Sequence, residues 1–164
     1  GTIADFDRAY RGGAEFAAMY GPVSFQSEYL HTKTERSNGR PDLNFDAGYL
    51  QMGWTLTGEP RRYKGSDGEF KGLRPDQPLD LDAGTWGAVE LAGRLDYADL
   101  NDRDIRGGEE TRATAVLNGY LNDHVRLMAD YSPILDLDDS PVTNLSGGSV
   151  DGLNVFTFRT QWAL

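Results

Sequence analysis

Val89-Glu90-Leu91-Ala92-Gly93-Arg94-Leu95-Asp96-Tyr97 alternates without a break, placing Val89, Leu91, Gly93, Leu95 and Tyr97 on one side and Glu90, Ala92, Arg94 and Asp96 on the other. Successive side chains of a strand point to opposite faces, so this stretch divides an apolar phase from a wet one. In a soluble protein the apolar phase is a core. In an outer-membrane barrel it is lipid, and the charged side faces a water-filled lumen.

Composition narrows the choice. The chain has 164 residues, long enough for one domain with a core of its own. No apolar run approaches the roughly 20 residues of a membrane helix. That excludes a helical membrane protein but leaves a barrel open, because each barrel strand shows only half its residues to lipid. With no cysteine there is no disulfide framework and no thiolate chemistry. A formal charge of −10 argues against a nucleic-acid partner, which needs a basic footprint. The chain begins at Gly1 without Met or a signal peptide, the mark of a processed protein or a piece of a longer one.

Working outward, period two yields about seven strands. One near Gly13 to Tyr20 carries Ala14, Phe16, Ala18 and Tyr20 on one face, and Gly21-Pro22 turns it back. The next sets Val23, Phe25 and Tyr29 against Ser24, Gln26 and Glu28. His31 to Asp42 reads as a long polar loop. Phe45 to Leu56 alternates Leu50, Met52, Trp54 and Leu56 with Tyr49, Gln51, Gly53 and Thr55. A second long connection, 57–85, is rich in Gly, Pro and charge. After Val89 to Tyr97 comes a loop around Asn101 to Glu110. Two strands follow, joined by a tight turn at Asn122-Asp123, with Ala113, Ala115, Leu117, Gly119, Leu121, Val125, Leu127, Ala129 and Tyr131 on the apolar side. Asp136 to Gly152 reads as a loop before a last strand with Phe156, Phe158, Trp162 and Leu164 on its apolar side.

Tight turns alternate with longer loops, as they do between a periplasmic and an outer rim. If the last strand runs down to the periplasm, strand parity puts both tight turns and the 57–85 connection on the periplasmic side. So long a connection there breaks the short-turn rule, and it is expected to fold against the mouth or into the lumen. Tyr20, Trp54, Tyr97, Tyr131 and Trp162 fall at or near strand ends, where interfacial aromatic girdles sit. The competing reading is aromatic packing in a soluble sheet. Against it, Ala, Gly and Thr recur where a packed core favours larger residues.

Several segments then form one series. They are Tyr20-Gly-Pro-Val-Ser-Phe-Gln-Ser-Glu-Tyr29, Trp54-Thr-Leu-Thr-Gly-Glu-Pro-Arg-Arg-Tyr63, Gly87 to Tyr97 followed by Asp99-Leu-Asn-Asp102, Gly107-Gly108, Asn118-Gly-Tyr-Leu-Asn122 and Val125-Arg-Leu-Met128. In that order and spacing they resemble the C-terminal part of the phosphate-selective porin O and P family. The resemblance implies an all-β, antiparallel transmembrane β-barrel of sixteen strands in the outer membrane of a Gram-negative bacterium. It also implies a trimer set in lipid and lipopolysaccharide, with a narrow lumen that passes anions such as phosphate or polyphosphate. Seven strands cannot close such a barrel, and open edges are not tolerated in lipid, so the chain is expected to be the last seven or so strands. It ends Gln161-Trp-Ala-Leu164 where the family pattern ends in an aromatic residue, a role that Trp162 would share.

On the charged side, alternation points Arg94, Arg112, Arg126 and Arg159 inward, one from each of the last four strands. Neighbouring strands lie about 4.8 Å apart, so the four can form a basic strip. Arginine suits phosphate because its planar fork donates two parallel hydrogen bonds and stays charged. The competing reading pairs each arginine with the inward acids Glu15, Glu28, Glu90, Asp96 and Asp130. Arg61, Arg62 and Lys64 are candidates for lining the periplasmic mouth, against a solvated basic turn. Asp80, Asp82, Asp136, Asp138 and Asp139 offer hard oxygen ligands for Ca²⁺, but read more simply as solvated loop acids. His31, His124, Ser24 and Ser27 give only thin support for a nucleophile–base pair. The expectation is a passive channel with no catalysis, metal or cofactor. The alternative is a barrel anchoring a cell-envelope partner.

Overall fold

The computed structural model describes residues 3–65, 69–70, 72–138 and 152–163. Seven long strands pair antiparallel in one sheet: β1 (Phe6–Tyr20), β2 (Val23–Arg36), β3 (Leu43–Thr55), β8 (Ala88–Asp102), β9 (Ile105–Tyr120), β10 (Val125–Asp138) and β11 (Asn154–Trp162). Between β3 and β8 the connection forms two small ribbons, β4 (Tyr63–Lys64) with β5 (Glu69–Phe70) and β6 (Leu79–Asp80) with β7 (Thr85–Trp86). Among the described residues there is no helix.

The order β1-β2-β3-β8-β9-β10-β11 follows the chain, so each long strand pairs with its neighbours in sequence. One rim, here the turn end, carries the turns at Gly21-Pro22 and 121–124 and the 56–87 connection. The opposite rim, the tip end, carries 37–42 and the Arg103-Asp104 turn. Gly21 lies in the left-handed region at φ +54°, a conformation that glycine adopts without steric cost.

The strands run further than alternation indicated. The expected loop from His31 to Asp42 shrinks to 37–42, because β2 continues to Arg36 and β3 starts at Leu43. The expected loop from Asn101 to Glu110 is a hairpin tip of two residues between β8 and β9. β1 starts at Phe6 rather than near Gly13, and β10 reaches Asp138. The rest of the expected 136–152 loop, apart from Gly152, lies outside the described residues. These extensions carry polar residues on both faces. Backbone pairing continues there because the ladder hydrogen bonds do not need an apolar side. Tyr97 and Tyr131 therefore sit within β8 and β10 rather than at strand ends.

Register fixes two faces. Phe25, Met52, Gly93, Ala115, Tyr131 and Phe156 stand side by side across six strands on the apolar face. On the other face Gln26, Gln51, Arg94 and Thr114 form one row, and Thr55, Glu90, Asn118, Met128 and Arg159 another. Burial is inverted relative to a soluble protein: Leu50 is 52% exposed, Leu117 50% and Phe158 82%, while Glu90 is 0% and Asn118 2% exposed. A contiguous apolar surface of this kind marks contact with another apolar phase. Among the described residues, no second layer covers it.

Candidate functional site

The polar face is organised around Glu90, on the turn-end stretch of β8. Its carboxylate accepts a bidentate pair from Arg61, with Nε to Oε1 and Nη2 to Oε2 both at 2.7 Å. Asn118 Nδ2 and the Tyr120 hydroxyl of β9 add bonds at 2.9 and 3.2 Å. A buried carboxylate is tolerated only when paired and hydrogen-bonded in this way. Gly53 leaves the necessary room, since a Cβ there would lie 3.0 Å from Glu90 Oε1 and 2.9 Å from Ser24 Oγ.

Arg61 belongs to the connection, so this pair ties the connection to the sheet. Other stitches run beside it. Leu56 N–H donates to the Val89 carbonyl at 2.7 Å, Val89 N–H to Thr57 Oγ1 at 3.1 Å, and Leu79 N–H to the Leu121 carbonyl at 2.7 Å. Buried Leu73 packs with Ala88 and Tyr120. Within the connection Thr57 bonds the buried carboxylate of Glu59. The segment expected to supply a basic mouth thus divides. The charge of Arg61 is paired with Glu90, while Arg62 and Lys64 are exposed.

The inward arginines do not form one uniform strip. Arg94 Nε donates to Asp96 at 2.7 Å, and its guanidinium lies 3.8 Å over the Tyr49 ring. Arg112 Nε lies 3.7 Å from Glu110, in a hollow that also holds Glu28 and Asp96. Arg126 lies over the Tyr120 ring at 4.9 Å, and its buried Nε finds no hydrogen-bond partner. Arg159 is exposed, and neither it nor Arg126 has an ion-pair partner among the described residues. Arg61, Arg94, Arg126 and Arg159 line one cavity of about 330 Å³, with Asp130 as the acid among its lining residues. Arg112 belongs to a second, acid-rich hollow, and Arg94 lines both it and the cavity of Arg126 and Arg159.

The aromatic residues Tyr20, Trp54, Tyr97, Tyr131 and Trp162 all lie exposed on the apolar face. Tyr131 stacks on Phe156 with ring centroids 4.5 Å apart. Level with and beyond Tyr97 in the register, Tyr29 OH and His31 Nδ1 both bond Asp46, the latter at 2.8 Å. His124 Nδ1 meets the Ala163 carbonyl at 3.0 Å. Both histidines are thus engaged away from serine. Asp80 accepts the N–H groups of Asp82 and Ala83 at 3.0 Å, a turn-closing role, and Asp139 lies outside the described residues. Glu15 lies on the edge strand β1, opposite Glu28.

At the tip end Arg36, its side chain 1% exposed, grips Asp104 with Nη1 and Nη2 at 2.8 and 2.7 Å and donates from Nε to the Pro41 carbonyl at 2.7 Å. The Arg36 hydrogen bonds hold the Asp104 carboxyl down at about 2. Sequence reading missed this clamp and the Tyr49, Asn118 and Tyr120 contacts. Tyr49 was accessible in principle, since it shares the polar side of β3 with Gln51, the register partner of Arg94. The Arg36–Asp104 pair spans 68 residues and left no local signal.

An antiparallel sheet with one exposed apolar face and one charged face is the class of structure that lines membrane barrels. The chain matches the profile of the family described as phosphate-selective porin O and P over residues 1–163, and it belongs to that family. It is 31% identical over 160 residues to Porin O of Pseudomonas aeruginosa, covering 92% of this chain and 34% of that protein. It is 36% identical over 140 residues to an uncharacterised protein of Caulobacter vibrioides, covering 85% of this chain and 27% of that protein. The chain thus spans between a quarter and a third of the curated relatives it matches.

Proposed function

We propose that the chain forms the C-terminal strands of a sixteen-stranded outer-membrane porin, through which small anions such as phosphate diffuse passively. The observation that carries this reading is the pairing of an exposed apolar face with a polar face on which Arg126 and Arg159 have no carboxylate partner among the described residues. The outer edges of β1 and β11 lack a strand partner among the described residues, and in lipid such edges must be closed by further strands. The turn end then faces the periplasm and the hairpin tips face outward. Tyr20, Trp54 and Trp162 contribute to the girdle at the periplasmic interface. Lipid and lipopolysaccharide surround the apolar face, and three copies assemble as a trimer. The barrel performs no catalytic step and uses no metal or cofactor.

Anions entering the cavity of Arg94, Arg126 and Arg159 meet donors that bind without chemical change. Throughput requires binding strong enough to admit an ion and weak enough to release it. Planar-bilayer recording of the full-length protein in a KCl gradient tests this. The expected result is a reversal potential showing anion preference and a chloride current reduced by added phosphate. Cation preference, or indifference to phosphate, overturns the anion assignment. A protein that inserts but carries no current favours the anchoring alternative.

A further inference from the structure

We propose that Glu90 is a positioning residue that pins residues 56–65 of the connection to the wall at the turn end, and that this pin sets the aperture there. Three of the groups on its carboxylate come from two sources: Asn118 and Tyr120 from the neighbouring strand β9, and Arg61 from the connection. The wall thus orients the acid with two hydrogen bonds, the connection adds a bidentate guanidinium, and with both in place the acid is fully buried.

The chemistry makes the pin stiff. Losing Arg61 leaves the buried Glu90 without a countercharge, so opening is strongly opposed. The planar fork also fixes direction as well as distance, which a lysine would not. Directly beside it, Leu73 covers Ala88 and Tyr120, and Tyr120 in turn carries Arg126 on its ring. A pinned connection therefore bounds one side of the cavity that holds Arg126 and Arg159. Glu90 acts through Arg61 and touches no permeant ion.

The current through the mouth rests on the channel reading, whereas the pin itself does not. The test uses full-length Glu90→Gln, Arg61→Gln and the double variant, each examined by hydrogen–deuterium exchange and by single-channel recording. Both single variants are expected to lose protection across residues 56–65 and to shift unitary conductance upward, with the double variant no further displaced than either. Arg61 lies outside the sheet, so its variant keeps the test decisive where Glu90→Gln does not fold. Unchanged protection, unchanged conductance despite lost protection, or additive effects in the double variant overturn the proposal. If the wild-type protein inserts without conducting, the channel reading fails. The pin is then judged by exchange alone, upheld by lost protection in both variants and overturned by its retention.

Discussion

Arg94 and Arg159 occupy equivalent positions in the alternation, yet their surroundings give them different weight. Arg94 shares its charge with Asp96 and lies over Tyr49, whereas Arg159 stands exposed with no acid paired to it among the described residues. A unit charge acting at about 4 Å in water-like surroundings is worth about 1 kcal/mol, roughly five-fold in local anion occupancy. Arg159→Gln is therefore expected to lower anion preference by up to that factor, and Arg94→Gln by less, as read from reversal potentials of the full-length protein. An equal effect of the two contradicts the division of the arginines. Gly87 is a second decisive residue. It sits at φ +73°, and an added Cβ would lie 2.1 Å from the Tyr120 carbonyl oxygen. The left-handed backbone alone costs a larger residue on the order of 1–3 kcal/mol, and the clash adds to it. Gly87→Ala should therefore sharply reduce refolding yield in detergent, measured by heat-modifiable migration. Which face each arginine occupies was legible from period two. Their partners were not, because alternation orders residues within a strand and says nothing of what another segment brings to them.

At the scale of the elements, the strand extensions beyond the apolar belt are where sequence reading stopped short. Between His31 and Arg36, and between Ala98 and Asp102, the alternation of apolar and polar residues weakens because polar residues occupy both faces. The backbone ladder still continues. The tip end is then held by its own clamp, Arg36 on Asp104, with Arg40 Nε on Asp5 at 2.7 Å beside it. Because the folded Asp104 pKa is about 2, below the ordinary aspartate value, its stabilisation is fully present above about pH 4 and is lost as pH falls towards 2. Asp104→Asn should be less stable than wild type at neutral pH. The difference in urea midpoint between the two should shrink across that window. A difference that stays constant from pH 5 to 2 would remove the clamp from the account. The connection shows the same limit in another form. Its Gly, Pro and charge content marked it as a long excursion, but its two ribbons and its stitches to β8 and β9 arise only once the sheet exists.

For the whole molecule, the governing feature is a sheet whose large apolar side chains are exposed and whose fully buried side chains include Glu90, Asn118 and Thr55. In lipid, a charge placed on the apolar face near the bilayer centre costs about 2–4 kcal/mol for arginine or lysine, while the opposite face tolerates it. Leu50→Arg should therefore lower the unfolding free energy of the vesicle-embedded full-length protein by an amount in that range. Thr114→Arg, on the polar face beside Arg94, should change it little. Equal costs on both faces would argue against lipid contact. The sequence by itself determined the all-β class and the two faces of the alternating stretch of each long strand, because a period of two is a local property written residue by residue, and its motif series determined the family. Only the tertiary structure decided which arginines keep their charge available and that Arg61 surrenders its own to Glu90. Only it decided that Arg36 closes the tips on Asp104. Those outcomes depend on contacts between residues 29 and 68 positions apart, and pairing energies at that range are set by the assembled sheet.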